Sequence, residues 1–164
     1  MPSQGRVWVI DTSSLIGVRE TVGRAGERKV LAGLTRLVST GSLLFPPEVL
    51  SEIKRGSGAI ADQLLAWARD NSAGAQQAAS LDTVKAVLRE VSDVLDPHAA
   101  EDQADPYVLA LALDRRGLGL YDVTIVTDDR RDKPGKLSLA TAAGILNLPT
   151  VPLHAFLRME RLSP

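Results

Sequence analysis

The sequence predicts a single α/β domain, residues 1–164, in which helices cover a central parallel sheet to give a three-layer α/β/α arrangement. Three observations predict it. Val7-Trp8-Val9-Ile10 and Val123-Thr124-Ile125-Val126-Thr127 are short, mostly β-branched runs bounded by turn residues, the pattern of strands buried on both faces. Each run ends in acids, Asp11 before Thr12-Ser13-Ser14 and the pair Asp128-Asp129. Helical and strand patterns alternate along the chain between and beyond them, as crossovers between parallel strands require.

The elements follow in order. Ser13 or Ser14 can cap a short helix through Leu15 and Ile16. A second helical pattern places Val30, Leu31, Leu34, Leu37 and Val38 at three–four spacing, with Gly41 at its end. Leu43-Leu44-Phe45 reads as a second strand, stopped by Pro46-Pro47, which pre-set a helix carrying Val49, Leu50 and Ile53 on one side and Glu52 on another. Gly56-Ser57-Gly58 closes that helix. Residues 59–95 read as wholly helical apart from the Ala/Gln-rich stretch at 73–79, a loop or weak helix. Within them Leu81, Val84, Leu88, Val91 and Leu95 form an apolar seam suited to core packing. Ala104 to Arg116 is apolar on nearly every side, hence a buried helix, and Gly117 and Gly119 stop it before the 123–127 strand. Leu137 to Leu148 reads as a helix, Thr150-Val151 as a last strand, and His154 to Leu162 as a closing helix. No repeat, linker or second domain interrupts this order.

Composition narrows the function classes. With 45% apolar residues and a formal charge of -1, a compact domain is expected, and any nucleic-acid binding must come from local patches. The absence of cysteine excludes disulfides, thiolate catalysis and zinc–thiolate sites. No signal peptide and no apolar stretch of ~20 residues is present, so a cytoplasmic protein without a membrane span is expected. Aromatics at 4% argue against base stacking on an exposed platform, and Trp8 and Trp67 read as core or interface residues. His98 and His154 have no ligand-pair spacing, and Asp96-Pro97-His98 reads as a turn.

The acids carry the chemistry. Open parallel sheets place their sites beyond the carboxyl ends of the strands, so two strands delivering aspartates there suggest gathered carboxylates and a hard cation to neutralise them. Each acid also has a plain alternative. Asp11 would cap the next helix; Asp128-Asp129 would be a turn; Asp105, just before Pro106, would be an N-cap; Glu52 would lie on a solvated helix face. Mg²⁺ or Mn²⁺ suits a set of carboxylates, waters and substrate phosphate. Thr12, Ser13 and Thr127 sit next to the acids, to hydrogen-bond carboxylates or phosphate, or simply to cap and turn the chain. The basic loop Arg130-Arg131-Asp132-Lys133-Pro134-Gly135-Lys136 follows directly, suited to hold phosphates through Arg130, Arg131, Lys133 and Lys136 or to be a solvated loop. Lys54 and Arg55 are a weaker second patch.

Four segments in sequence resemble one family. They are Val9-Ile10-Asp11-Thr12-Ser13-Ser14-Leu15-Ile16, Pro46-Pro47-Glu48-Val49-Leu50-Ser51-Glu52-Ile53, Ala104-Asp105-Pro106-Tyr107-Val108-Leu109-Ala110-Leu111-Ala112 and Ile125-Val126-Thr127-Asp128-Asp129. In order, spacing and context from residue 7 to about 155 they resemble PIN domains, small metal-dependent ribonucleases that include the VapC-type toxins of bacterial toxin–antitoxin pairs. The resemblance implies a PIN-like fold and an endoribonuclease using Mg²⁺ or Mn²⁺. It carries Asp11, Glu52, Asp105 and Asp128 over as catalytic, metal-binding acids. Asp129 is the alternative ligand one position on, and the residue directly after the strand is preferred. It further implies an RNA substrate, a cognate antitoxin and a homodimer, with the apolar helices between Leu31 and Leu95 offering interface surface. A catalytically inactive PIN-like scaffold or protein-binding module is the alternative.

Other α/β classes fit less well. A haloacid-dehalogenase-type phosphatase needs an acid two residues after the first, where Ser13 stands. A response-regulator receiver wants a third aspartate after a middle strand and a late lysine after another, which the strand order does not supply. A dinucleotide fold wants G-x-G-x-x-G where Asp11-Thr12-Ser13-Ser14 stands.

Overall fold

The computed structural model describes residues 5–56, 62–99 and 103–162. Its centre is an all-parallel sheet of four strands, β1 (Gly5–Ile10), β2 (Leu43–Leu44), β3 (Tyr121–Val126) and β4 (Thr150–Val151), in the spatial order β2-β1-β3-β4. β1 and β3 pair in full register, from Gly5 opposite Tyr121 to Ile10 opposite Val126. Asp11 and Thr127 therefore leave the sheet side by side. Their backbones stay tied to neighbouring strand ends, Asp11 N to Val126 O at 3.2 Å and Thr127 N to Val151 O at 3.0 Å.

Helix α1 (Thr12–Ser39) joins β1 to β2. Helices α2 (Pro47–Arg55), α3 (Asp62–Asp70), α4 (Ser72–Ala75), α5 (Leu81–Glu90) and α6 (Asp105–Gly117) precede β3, α7 (Leu139–Ile145) joins β3 to β4, and α8 (Leu153–Met159) follows. The step from β1 to β2 runs opposite to those from β2 to β3 and β3 to β4. With right-handed crossovers this places α1 on one face and α6 and α7 on the other. Packing agrees. α8 lies on α1, and its Phe156 meets Trp8 edge-on at 5.0 Å between centroids, while α6 packs on β1, β3 and α5. The molecule is thus the three-layer α/β/α domain expected. No described helix is long and apolar enough to cross a membrane.

The apolar patterns find their predicted places where burial drives them. Val7 to Ile10, Val123, Ile125 and Val126 are buried, as are Pro106 and Val108 to Ala112 of α6. Trp8 and Trp67 are core residues. The seam on α5 and beyond is less uniform: Val84 and Val91 are buried, Leu88 and Leu95 pack at the margin, and Leu81 is 65% exposed.

Several local expectations are corrected. The two helical patterns after β1 run on as α1 with a break at Gly23, whose φ of 76° suits glycine. Across that break Arg19 Nε and Nη2 donate to the buried Glu27 carboxylate at 3.1 and 2.9 Å, clamping the two halves. Gly56 closes α2, whereas Ser57 and Gly58 of the predicted stop, and the beginning of the predicted long helical region, lie outside the described residues. The stretch read as a loop or weak helix at 73–79 is both, the short α4 followed by non-helical residues 76–80. Phe45 N donates to Ala75 O and Gln77 N to Phe45 O, both at 3.0 Å, so Gln76 bridges Phe45 in parallel and lengthens the β2 edge. Strand β3 ends at Val126, one residue before the predicted end. That single residue matters at the site.

Candidate acidic site

The site forms where β1 and β3 end and where α2 and α6 bring their first or middle turns to the same edge. Asp11, not Ser13 or Ser14, caps α1: its Oδ1 accepts from Ser14 N at 2.9 Å. Its Oδ2 accepts from Ser13 Oγ at 2.8 Å and from Thr127 Oγ1. The capping alternative for Asp11 is therefore real, but it uses only one face of a carboxylate that three donors hold. Burial, at 2% exposure, pushes the Asp11 carboxyl above its ordinary range, and the bonds from Thr127, Ser14 and Ser13 pull it back.

Thr127 is wholly buried and links the two strand ends. Its Oγ1 donates to Asp11 and accepts from Asp129 N at 3.0 Å. In an extended chain alternate residues face the same side. Thr127 and Asp129 accordingly turn to the site, and Asp128 turns away.

Glu52 sits in the middle of α2, where Pro46 and Pro47 set the start of the helix. Its Oε1 accepts from Ala104 N at 2.9 Å and Thr12 Oγ1 at 3.3 Å. Because Ala104 is the N-cap residue of α6, Glu52 fixes the start of the helix that carries Asp105. Asp105 is the first residue of α6 and does not cap it, so the N-cap alternative for this acid fails.

Burial pushes the Asp105 carboxyl up to about 7 from an ordinary 3.8. Lys136 opposes that rise, while the negative charges of Asp11, Asp129 and Glu52 add to it. Contacts tie the same four acids to one edge: Glu52 accepts from Thr12, next to Asp11, and from Ala104 N, next to Asp105, and Lys136 stands between Asp105 and Asp129.

Asp128, preferred from the sequence, is corrected. It is exposed, and its Oδ1 accepts from Leu153 N at 2.8 Å at the start of α8. Its Oδ2 lies beside Gly17, 3.5 Å from where a Cβ would stand. The carboxylate is committed to the α1–α8 side. Asp129 is the neighbour that faces Lys136 and Asp105: its Oδ2 accepts from Leu139 N at 3.0 Å and lies 3.8 Å from Lys136 Nζ.

The basic loop divides. Arg130, Arg131 and Lys133 are exposed, with Arg130 Nη1 donating to Thr150 Oγ1 at 3.1 Å. Lys136 instead folds back onto the acids, its Nζ 3.5 Å from Asp105 Oδ2. Sequence reasoning placed Lys136 with the outward-facing bases. The signal that could have separated it is Pro134-Gly135 between two lysines, a turn that reverses the chain. Ser138 N donates to Asp132 Oδ1 at 2.8 Å, the main cause holding that carboxyl below its usual range, and this contact ties the loop to the start of α7.

Does the site fit a divalent cation? The donor set is all oxygen, as Mg²⁺ or Mn²⁺ prefers. An ammonium already stands against two of the carboxylates as a stand-in cation. The acids are not drawn into a coordination shell as they stand: among the described residues no group of three or more His, Cys, Asp or Glu is close enough to hold a metal ion. The residues fit the cation in the kind of donor they offer, and holding it would require their side chains to move closer together.

The predicted surplus of apolar surface between Leu31 and Leu95 is largely consumed internally, since Leu31, Leu34, Val38, Leu64, Trp67, Val84 and Val87 are core residues.

No curated protein matches the chain. Residues 8–163 match the family described as "Domain of unknown function (DUF4411)".

Proposed function

The chain belongs to the DUF4411 family, and on the convergence of Asp11, Glu52, Asp105 and Asp129 at one sheet edge we propose that it is a Mg²⁺- or Mn²⁺-dependent ribonuclease. That convergence is the observation that carries the reading. Four acids from four different parts of the chain are brought towards one edge beyond the ends of two central strands; three of them also anchor helix starts, but gathering their charges is what electrostatics opposes.

A bound divalent cation there would supply Lewis acidity and a water nucleophile at neutral pH. The chain's own residues do the rest. Asp11 is pinned by Ser14 N, Ser13 and Thr127, so its free lone pairs have a fixed direction. Glu52 holds the α6 start in place through Ala104 N and so sets where Asp105 stands. Asp105, whose carboxyl burial pushes up to about 7, stands with Asp129 on either side of Lys136 and offers a further oxygen donor to the site. Arg130, Arg131 and Lys133, exposed on the loop after β3, suit contacts with the phosphates of an RNA strand crossing the edge.

The finer reading is an endoribonuclease toxin of a type II pair. It has the support of the four segments that resemble PIN domains, and it brings with it a cognate antitoxin and a homodimer. An inactive PIN-like binding module is the second reading, and the Lys136 ammonium against Asp105 and Asp129 favours it to the extent that this cation is permanent.

The test is cleavage of an end-labelled single-stranded RNA by purified protein with Mn²⁺, Mg²⁺ or a chelator. Internal cleavage that needs the cation and disappears in Asp11→Asn supports the ribonuclease. Intact RNA under every condition leaves the binding module.

A further inference from the structure

We propose that Lys136 is a built-in counter-ion that takes the cation's place among the acids, and that a divalent cation binds only by expelling its ammonium. The inference rests on the ribonuclease reading above and concerns how that site is regulated.

Lys136 Nζ stands 3.5 Å from Asp105 Oδ2 and 3.8 Å from Asp129 Oδ2. These acids come from separate parts of the chain, the first turn of α6 and the loop after β3, so the ammonium bridges the site. It is held there by a built turn. Lys133-Pro134-Gly135-Lys136 closes with Lys133 N to Lys136 O at 2.9 Å and Lys136 N to Lys133 O at 3.0 Å. Proline second and glycine third with φ of 76° are what a type II turn requires. Just beyond, Leu137 N donates to Asp93 O at 2.7 Å and Ser138 N to Asp132 Oδ1 at 2.8 Å. The backbone of Lys136 is therefore anchored on both sides, and only its four-carbon stem is free to swing.

The contact is suited to displacement. At 3.5–3.8 Å the ammonium pairs through charge and not through short directed bonds, and its only hydrogen bond among those described is a 3.4 Å contact to Leu137 O. A divalent cation would sit about 2.1 Å from the same carboxylate oxygens. Two cations cannot share those oxygens without strong repulsion, so occupancy is one or the other. Without metal, Lys136 relieves the crowding of Asp105 and Asp129. With metal, its side chain leaves by rotation while the turn stays in place.

The experiment measures Mn²⁺ binding by calorimetry for the wild type, Lys136→Met and Lys136→Arg, together with amine labelling of the wild type read by mass spectrometry. Lys136→Met is expected to bind Mn²⁺ about tenfold more tightly, because no cation has to be expelled, while Lys136→Arg gains nothing. Labelling at Lys136 is expected to rise on adding Mn²⁺ while labelling at the exposed Lys29 and Lys85 stays constant. Equal affinity of wild type and Lys136→Met, or unchanged labelling at Lys136 when Mn²⁺ binds, overturns the counter-ion role and leaves the ribonuclease reading standing. Mn²⁺ binding to neither protein overturns both. Should Lys136→Met fail to fold, the labelling of the wild type decides.

Discussion

Thr127 Oγ1 donates to Asp11 Oδ2 across the paired ends of β3 and β1, so one hydroxyl joins the two strands that define the site. Both residues are buried. Thr127→Val keeps the shape and removes the donor. Unfolding free energy should fall by about 1–3 kcal/mol, the range for a buried acceptor left short of a partner. Thr127→Ser should recover most of it. Chemical denaturation of the three proteins at pH 7 checks this; equal midpoints would mean that the hydroxyl holds nothing.

Asp105 should leave a mark on the pH dependence of stability. Its folded carboxyl near 7 lies above its ordinary 3.8, so between these values the folded chain binds the proton more tightly than the unfolded one. The Asp105 contribution is therefore fullest below about pH 4 and is lost as pH rises towards 7. Its side chain is 22% exposed, which discounts the full electrostatic value to roughly 1–2 kcal/mol. Asp105→Asn should match the wild type near pH 4 and exceed it near pH 7 in metal-free buffer. Mn²⁺ affinity of the wild type should climb through the same window. A variant less stable at every pH would show that Asp105 is structural.

The two neighbouring aspartates should separate cleanly. Asp129→Asn should abolish cation-dependent cleavage, since Asp129 faces Asp105 and Lys136. Asp128→Ala should retain it while losing about 1 kcal/mol of stability, the worth of its bond to Leu153 N. Assays of both purified variants against RNA, with thermal melts alongside, measure the contrast; the opposite pattern would return Asp128 to the site.

The clamp over the Gly23 break makes a prediction away from the chemistry. Arg19→Met would strand the buried Glu27 without its partner, which typically costs about 3 kcal/mol or more. Arg19→Met with Glu27→Leu should recover much of that loss. Denaturant titrations of the single and double variants measure the coupling.

Burial-driven features were the legible ones. The β-branched runs at Val7 and Val123 and the all-round apolar pattern of α6 must be inside, so their sequence reports their position. Asp11 and Asp105 stand out in the sequence because each lies at an element boundary that strand pattern or proline marks, whereas Glu52 lies mid-helix and stands out only through the Pro46-Pro47 that starts its helix. Which of Asp128 and Asp129 turns to the other acids is not legible, because alternation flips with one residue and β3 stops at Val126, not Thr127. Lys136 was grouped with exposed bases because its inward course depends on the angle of a Pro-Gly turn, which composition does not show. The Gln76 bridge to Phe45 carries no hydrophobic period at all.

The most direct measurement is anomalous diffraction from crystals soaked in Mn²⁺. The account predicts one strong peak bounded by carboxylate oxygens of Asp11, Asp105 and Asp129, about 2.1 Å from its nearest ligands, with Glu52 alongside and the Lys136 ammonium turned away. A peak centred on Asp128, or none among these acids at saturating Mn²⁺, would contradict it.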